Sequence, residues 1–291
     1  MKIRAREPNT LMKLPRLRTF FLVPLYLFAA LYVTAVIIIN LKGDAIPALE
    51  SVAVADAHKT IAIFGASGTA GDGILKAALA DPEIDRILVI TRRTTPRIEE
   101  GVAMGKLQVI LHMDYLDYAA IRDKLSPLDS VYWAIGINSL GVDEKTYGMI
   151  HVDFPVRFVS EWLSAGNKPG SSFHYISSSD ISEDSSMMWA REKVRAEKSL
   201  FKLAEGTDLR VIAYRPDYIG PTEEEANLGQ TLLYWFFKPV NAAVRATQIG
   251  QAMIEVTARG SEFSSGDTLS TGKIVRYSNA YEKRLALKND G

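Results

Sequence analysis

The chain has 291 residues, 34 Lys and Arg against 34 Asp and Glu, and 47% hydrophobic residues. It is too apolar for a disordered chain and too charged for a polytopic membrane protein, and a net charge of zero gives no broad attraction for nucleic acid. With no cysteine, disulfides, zinc–thiolate sites, iron–sulfur clusters and thiol catalysis are excluded, and four scattered histidines supply no ligand pair, so no metal site is expected.

Residues 1–18 form a basic segment, with Lys2, Arg4, Arg6, Lys13, Arg16 and Arg18 against the single acid Glu7. The next 23 residues, 19–41, carry no charge. As a helix they would measure roughly 35 Å, enough to span a hydrocarbon core of about 30 Å, and they are predicted to form one transmembrane helix. A cleaved signal peptide would want a shorter apolar core with a small-x-small site close behind it, whereas Ala53-Val54-Ala55 and Ala55-Asp56-Ala57 lie well beyond Leu41. A mitochondrial presequence would be amphipathic, and this run has no polar face. Lys42, Asp44 and Glu50 follow the run, so the positive-inside rule predicts a cytoplasmic N-terminus and an outward-facing domain, the alternative being a domain in the cytoplasm or a lumen. Residues 42–58 have no sustained pattern and are expected to form a linker.

From residue 59 to 291 short apolar runs alternate with helical patterns. The predicted strands are TIAIF (60–64), RILVI (86–90), LQVIL (107–111), SVYWAI (130–135), FHYIS (173–177) and LRVIAY (209–214). Continuous apolar runs bounded by turn residues suit strands covered on both faces, so the expected fold is α/β, a doubly wound parallel sheet with crossover helices. One such domain with a small C-terminal elaboration accounts for the length.

The sharpest motif, Gly65-Ala66-Ser67-Gly68-Thr69-Ala70-Gly71, follows the first strand and opens the helix GDGILKAALA. Gly65 permits the tight turn, Gly68 lets backbone approach a pyrophosphate, and Gly71 lets helix and sheet pack closely, while the free N–H groups at the helix start favour phosphate charge. Ser67, Thr69 and Ala70 are cofactor-binding candidates from the same turn; the alternative is a glycine-rich turn with no ligand. The second strand ends in Ile90-Thr91-Arg92-Arg93, with no carboxylate placed for a ribose 2′-hydroxyl. Arg92 and Arg93 therefore favour the 2′-phosphate of NADP(H) over NAD(H), unless they are a solvated surface pair.

With this glycine motif, the arginine pair, Asp114 in HMDYLDY, WAIG (133–136), YISSS (175–179), MMWAREKVRAEKSL (187–200) and YRPDYIGP (214–221), the chain resembles the atypical short-chain dehydrogenase/reductase superfamily, NmrA-like and epimerase/dehydratase-like members included. The resemblance covers about residues 59–285 and implies a Rossmann domain. It places Asp114 and Leu116 by the adenine, Ala134 and Gly136 under the cofactor, and Arg215-Pro216 beside the nicotinamide. The superfamily's Tyr-x-x-x-Lys signature puts Lys193 in the lysine place and Ser177 or Ser178 in the serine place. Trp189 stands where the tyrosine belongs, and an indole N–H donates but does not titrate usefully.

Lys193 is thus expected to orient the nicotinamide ribose and Ser178 to hydrogen-bond a substrate oxygen. Packing, ribose binding without catalysis and strand-end capping are the bland alternatives for Trp189, Lys193 and the serines. Tyr147 and Tyr218 are candidate replacements for the missing phenol, while His151 and His174 read as structural. LLYWFFKPVNAAV (232–244) is too short to span a bilayer and reads as a pocket lid or core helix, with interfacial docking as the alternative. The expected protein is a membrane-anchored, single-pass NADP(H)-binding oxidoreductase or epimerase acting on a small-molecule substrate, the alternative being a non-catalytic dinucleotide sensor or assembly factor that binds a partner protein.

Overall fold

A computed structural model describes residues 17–41 and 60–289, which fall into two units. The first is α1 (Leu17–Leu41), one residue pair longer at its start than the apolar run. Pro24 sits early in it, where a missing N–H does little harm. Thr34 Oγ1 and Asn40 Nδ2 donate back to the carbonyls of Ala30 and Val36, each at 2.8 Å, so these polar side chains satisfy themselves within the helix. The stretch Leu22–Leu41 is long and apolar enough to cross a membrane, and none of it is buried. Residues 1–16 of the basic segment and the 42–58 linker lie outside the described residues.

The second unit is the α/β domain. Its parallel strands are β1 (Thr60–Phe64), β2 (Arg86–Thr91), β3 (Leu107–Leu111), β4 (Ser130–Trp133), β5 (Ser172–Ile176) and β6 (Arg210–Arg215). A short pair follows, β7 (Tyr218–Gly220) with β8 (Ala243–Arg245), and β9 (Thr268–Ser270) joins the main sheet. The seven strands run in the order β3-β2-β1-β4-β5-β6-β9. This is a doubly wound Rossmann sheet, and its chain reversal lies between β1 and β4, whose carboxyl ends open a crevice. The six strands expected from the sequence are present within one or two residues. β9 carries no sequence signal, because three residues are too few to show a period.

The period-2 alternation along β1 explains why its run is continuously apolar. Ile61 and Ile63 enter one core with α2 (Thr69–Ala80), α8 (Ala246–Ala258) and α9 (Thr271–Asn289), through Ile74, Ile249, Met253 and Ile274. Ala62 and Phe64 enter the other with α5 (Phe154–Ala165) and α6 (Met188–Ala204), through Phe158, Trp162 and Leu200. Both faces of the strand are therefore covered. On the first face the fully buried Glu255 of α8 accepts from Arg259 at 2.8 Å and from Arg284 of α9 at 2.8 Å, so its charge is balanced by two guanidinium groups.

Two shorter helices complete the domain's functional edge. α3 (Pro96–Ala103) follows β2, and α4 (Glu144–Gly148) passes through a π-helical turn, Met149–Asp153, into α5. α7 (Leu228–Phe237) lies between β7 and β8. Of its ten residues only Tyr234 is buried, so the segment is not the core helix that its composition also allowed.

Candidate functional site

The turn after β1 is built by two glycines with different duties. Gly65 sits at φ +78°, and a Cβ there would come within 2.6 Å of the Ala134 backbone, so both conformation and close approach require glycine. At Gly71 a Cβ would lie 2.0 Å from the Gly65 carbonyl oxygen, which fixes α2 tightly on the strand end. Gly68, between them, differs. A Cβ there would meet nothing nearer than the Gly65 oxygen at 3.5 Å and would instead project into open space. Gly68 forms the floor of a cradle at the start of α2, whose first N–H groups have no intrahelical partner.

Two cavities share this floor. The first, of about 390 Å³, is lined by Gly65, Ser67, Gly68, Thr91, Arg92, Arg93 and Tyr115, with Ala134, Ile135 and Gly136 on the β4 side. The second, of about 500 Å³, is lined by Gly68, Thr69, Ala70, the stretch Ala134–Asn138, His151, Ile176, Lys193, Tyr218, Ile219 and Gln230. Gly68, Ala134, Ile135 and Gly136 belong to both, so the cavities form one continuous groove along the crevice.

At the first end Arg92 and Arg93 are exposed, and neither makes an ion pair among the described residues. Arg93 reaches only the Ser67 carbonyl at 3.4 Å, and the Arg92 guanidinium lies 5.9 Å from the Tyr115 ring centroid. Thr91 Oγ1 donates to the Arg93 carbonyl at 2.9 Å and so sets the turn that carries them. Asp114 and Leu116 are not among the lining residues. The Asp114 carboxylate accepts from the Leu116 N–H at 2.9 Å, shaping the loop, and it is Tyr115 between them that walls the groove.

At the second end Lys193 is 6% exposed and donates to the Ile176 carbonyl at 2.8 Å and to the Tyr175 hydroxyl at 3.2 Å. Burial pulls its pKa down to about 7, against the opposing attraction of Glu197 one turn later. Glu197 itself is tied to Arg215, whose Nε donates to it at 3.0 Å. Of the β5 end, Ile176 lines the cavity while Ser177 and Ser178 do not. Ser177 is buried with no hydrogen-bond partner for its Oγ among the described residues, and Ser178 is half-buried. Trp189 is half-buried and is not a lining residue either.

His151 is where the structure adds most. It lies in the π-helical turn between α4 and α5, 4% exposed, and its ring packs under Gly136, where a Cβ would come within 2.7 Å of Cε1. The Ile137 N–H donates to Nε2 at 3.1 Å, and the Ile137 carbonyl lies at the same distance, so the ring is pinned to that residue in either tautomer. Nδ1 has no partner among the described residues. Burial, with Lys193 nearby, holds the imidazole pKa down to about 3, so the ring is neutral near pH 7. Tyr147 stacks on it at 4.0 Å, and burial pushes that phenol up to about 12. The sequence reading made His151 structural, and only its position in a π-helical turn, itself invisible in the sequence, marks it as part of a site. His174 by contrast is fully buried and bonded to Tyr214, Ser172 and Thr257, away from the groove.

No family model matches the chain. It is similar to the leucinostatins biosynthesis cluster protein T of Purpureocillium lilacinum, 27% identical over 173 residues, which are 59% of this chain and 61% of that protein. It is also similar to the mitochondrial protein fmp52 of Emericella nidulans, 28% identical over 179 residues, 60% of this chain and 73% of that one. The chain thus spans less than two thirds of the first of these relatives. Among solved structures it resembles a short-chain dehydrogenase/reductase from Saccharomyces cerevisiae, with a TM-score of 0.56 at 15% identity over 73% of this chain and 96% of that one. A UDP-glucuronic acid 4-epimerase from Bacillus cereus in complex with NAD gives a TM-score of 0.55 at 14% identity, over 72% of this chain and 76% of that one. The fold is therefore a Rossmann fold, similar to that of these short-chain dehydrogenase/reductase and epimerase structures.

Proposed function

We propose that the domain binds NADP(H) in the continuous groove and acts as an oxidoreductase or epimerase-type enzyme on a small carbonyl or alcohol substrate. The observation that carries this reading is the shared floor: Gly68, with space where a side chain would be, joins a cavity bearing two guanidinium groups without carboxylate partners to a cavity bearing Lys193 and His151. The groups present fit the cofactor. Arg92 and Arg93 suit a 2′-phosphate by charge and by forked geometry, and the start of α2 suits the pyrophosphate. When bound, a nicotinamide dinucleotide supplies or accepts a hydride.

The chain's own residues then have defined tasks. In its protonated form Lys193 has three N–H groups, two of them committed to Ile176 and Tyr175, which leaves one to hold a ribose hydroxyl at the cavity wall. Trp189 cannot exchange a proton with a substrate oxygen. Tyr218, which lines the cavity, is the phenol that could, and Nδ1 of the neutral His151 is a second donor or acceptor at the same wall. Ser178 would serve the substrate oxygen only by turning inward from its half-buried place. The chain would be held at a bilayer by Leu22–Leu41; the mitochondrial names belong to the relatives that carry them.

The absence of a phenol at position 189 favours a second reading, a non-catalytic dinucleotide sensor or assembly factor with a protein partner. Fluorescence titration with NADPH, followed by a panel of carbonyl substrates, separates the two. Binding with oxidation supports the enzyme, binding without any oxidation supports the sensor, and no binding of either dinucleotide overturns both.

A further inference from the structure

The two ends of the groove differ in charge. The smaller cavity carries Arg92 and Arg93 with no acid among its lining residues. The larger one is lined by no arginine, aspartate or glutamate, and its single charged side chain is Lys193. That ammonium already donates to the Ile176 carbonyl and the Tyr175 hydroxyl, and on the reading above its third N–H goes to a ribose hydroxyl and the start of α2 to the pyrophosphate. No cation is then left for a substrate. A carboxylate or phosphate entering this cavity would give up water without gaining an ionic partner, which is unfavourable.

What the cavity does offer is hydrogen-bond donors on neutral groups. Asn138, in the loop after β4, accepts from the Leu140 N–H at 2.9 Å through its side-chain oxygen, and Gln230 of α7 accepts from the Asn227 N–H at 3.1 Å in the same way. In both amides the oxygen is committed to local backbone, so the NH2 group is the end left for a ligand. Neither NH2 has a partner among the described residues, and the same holds for the Tyr218 hydroxyl on β7. Ile137, Ile176 and Ile219 supply apolar wall. A site of this composition suits a molecule with an apolar skeleton and several acceptor oxygens.

We propose that the larger cavity takes an uncharged, acceptor-rich substrate, a keto ester or comparable neutral carbonyl compound, and rejects carboxylates and phosphates, with the Asn138 and Gln230 amides donating to its oxygens. The proposal rests on the groove holding the dinucleotide with its nicotinamide end toward Lys193. Tyr218 and Gln230 come from the segment between β6 and β9, outside the seven-stranded sheet, so the sheet serves the dinucleotide and this elaboration selects the substrate.

The test uses the full chain saturated with NADP⁺, so that no hydride is available, and saturation-transfer NMR with methyl levulinate and levulinate, a neutral keto ester and its carboxylate. The ester should bind about 10-fold more tightly than the acid, or better. Gln230→Glu and Asn138→Asp are isosteric: each keeps the oxygen that closes its own turn and replaces the donating NH2 by a second oxygen. Each should weaken ester binding about 3-fold to 10-fold, the worth of one hydrogen bond, with the melting temperature unchanged. Should one of them melt earlier, the other carries the test. Levulinate binding as tightly as its ester, or ester binding that neither variant moves, overturns the proposal. Failure of the ester to bind protein that does hold NADP⁺ overturns the proposal and leaves the dinucleotide reading standing. Failure to bind NADP⁺ overturns that reading, and this one with it.

Discussion

The ammonium of Lys193 sits 3.2 Å from the hydroxyl of Tyr175, a phenol on the neighbouring strand rather than one turn earlier on the same helix. Tyr175 is fully buried and donates onward to the His151 carbonyl at 2.9 Å, so it cannot reach a ligand, but it does join the lysine to the turn that carries the imidazole. Position 189, the tyrosine place of the Tyr-x-x-x-Lys signature, is Trp189, and the lysine keeps a phenolic partner of a different kind.

Lys193→Met should change how stability depends on pH. The folded-state pKa, about 7, lies below the ordinary lysine value near 10.5. Between those limits the unfolded chain binds the proton and the folded chain does not. Stability therefore rises with pH across that window, by up to about 1.4 kcal/mol per pH unit for this one group, and the burial cost is fully present below pH 7. Urea midpoints at pH 7 to 10 should flatten in the variant relative to the parent; parallel curves would refute the assignment.

His151→Gln should flatten the acid limb. The imidazole pKa is about 3 in the folded chain against about 6.5 unfolded, so stability falls as pH drops through 6.5 toward 3. Thermal melts from pH 7 to 5 should show a shallower decline in the variant. An unchanged decline would mean the ring is not held neutral.

Arg92→Ala with Arg93→Ala should lower NADPH affinity by about 10-fold to 100-fold, the range expected for losing charge-assisted hydrogen bonds, and leave NADH nearly unaffected. Equal affinity of the parent for both dinucleotides, measured by titration, would remove the basis for NADP(H).

Gly68→Val and Gly71→Val should part company. The first places its side chain in the open cradle and should abolish dinucleotide binding with the melting temperature nearly unchanged. The second drives a Cβ to 2.0 Å from the Gly65 oxygen and should destabilise the fold itself. Calorimetry and titration on both variants check the pair, and retained binding in Gly68→Val would mean the turn does not hold phosphate.

If Leu22–Leu41 spans a bilayer, the charges before residue 19 predict an outward-facing domain. Protease added to sealed right-side-out preparations should digest residues 60–289, and full protection would place the domain in the cytoplasm or matrix.

Some of the architecture was legible in the residues alone, because it depends on local patterns. TIAIF and RILVI are strands buried on both faces, and burial on both faces leaves a continuous apolar run; the Gly65–Gly71 spacing is dictated by contacts between a strand end and the helix that immediately follows it. The arginine pair after β2 was readable for the same reason, since its position counts from a strand end. What the tertiary structure decided lies in contacts between distant segments. His151 meets Gly136 and Ile137 only because a π-helical turn rotates it under the β4 loop, and Tyr175 meets Lys193 only because β5 and α6 pack face to face. Tyr115 rather than Asp114 walls the groove, since the carboxylate is spent on its own turn. Whether the apolar run 232–244 enters the core or stands outside it could not be read from composition, because hydrophobicity states a preference for leaving water and does not say which surface satisfies it.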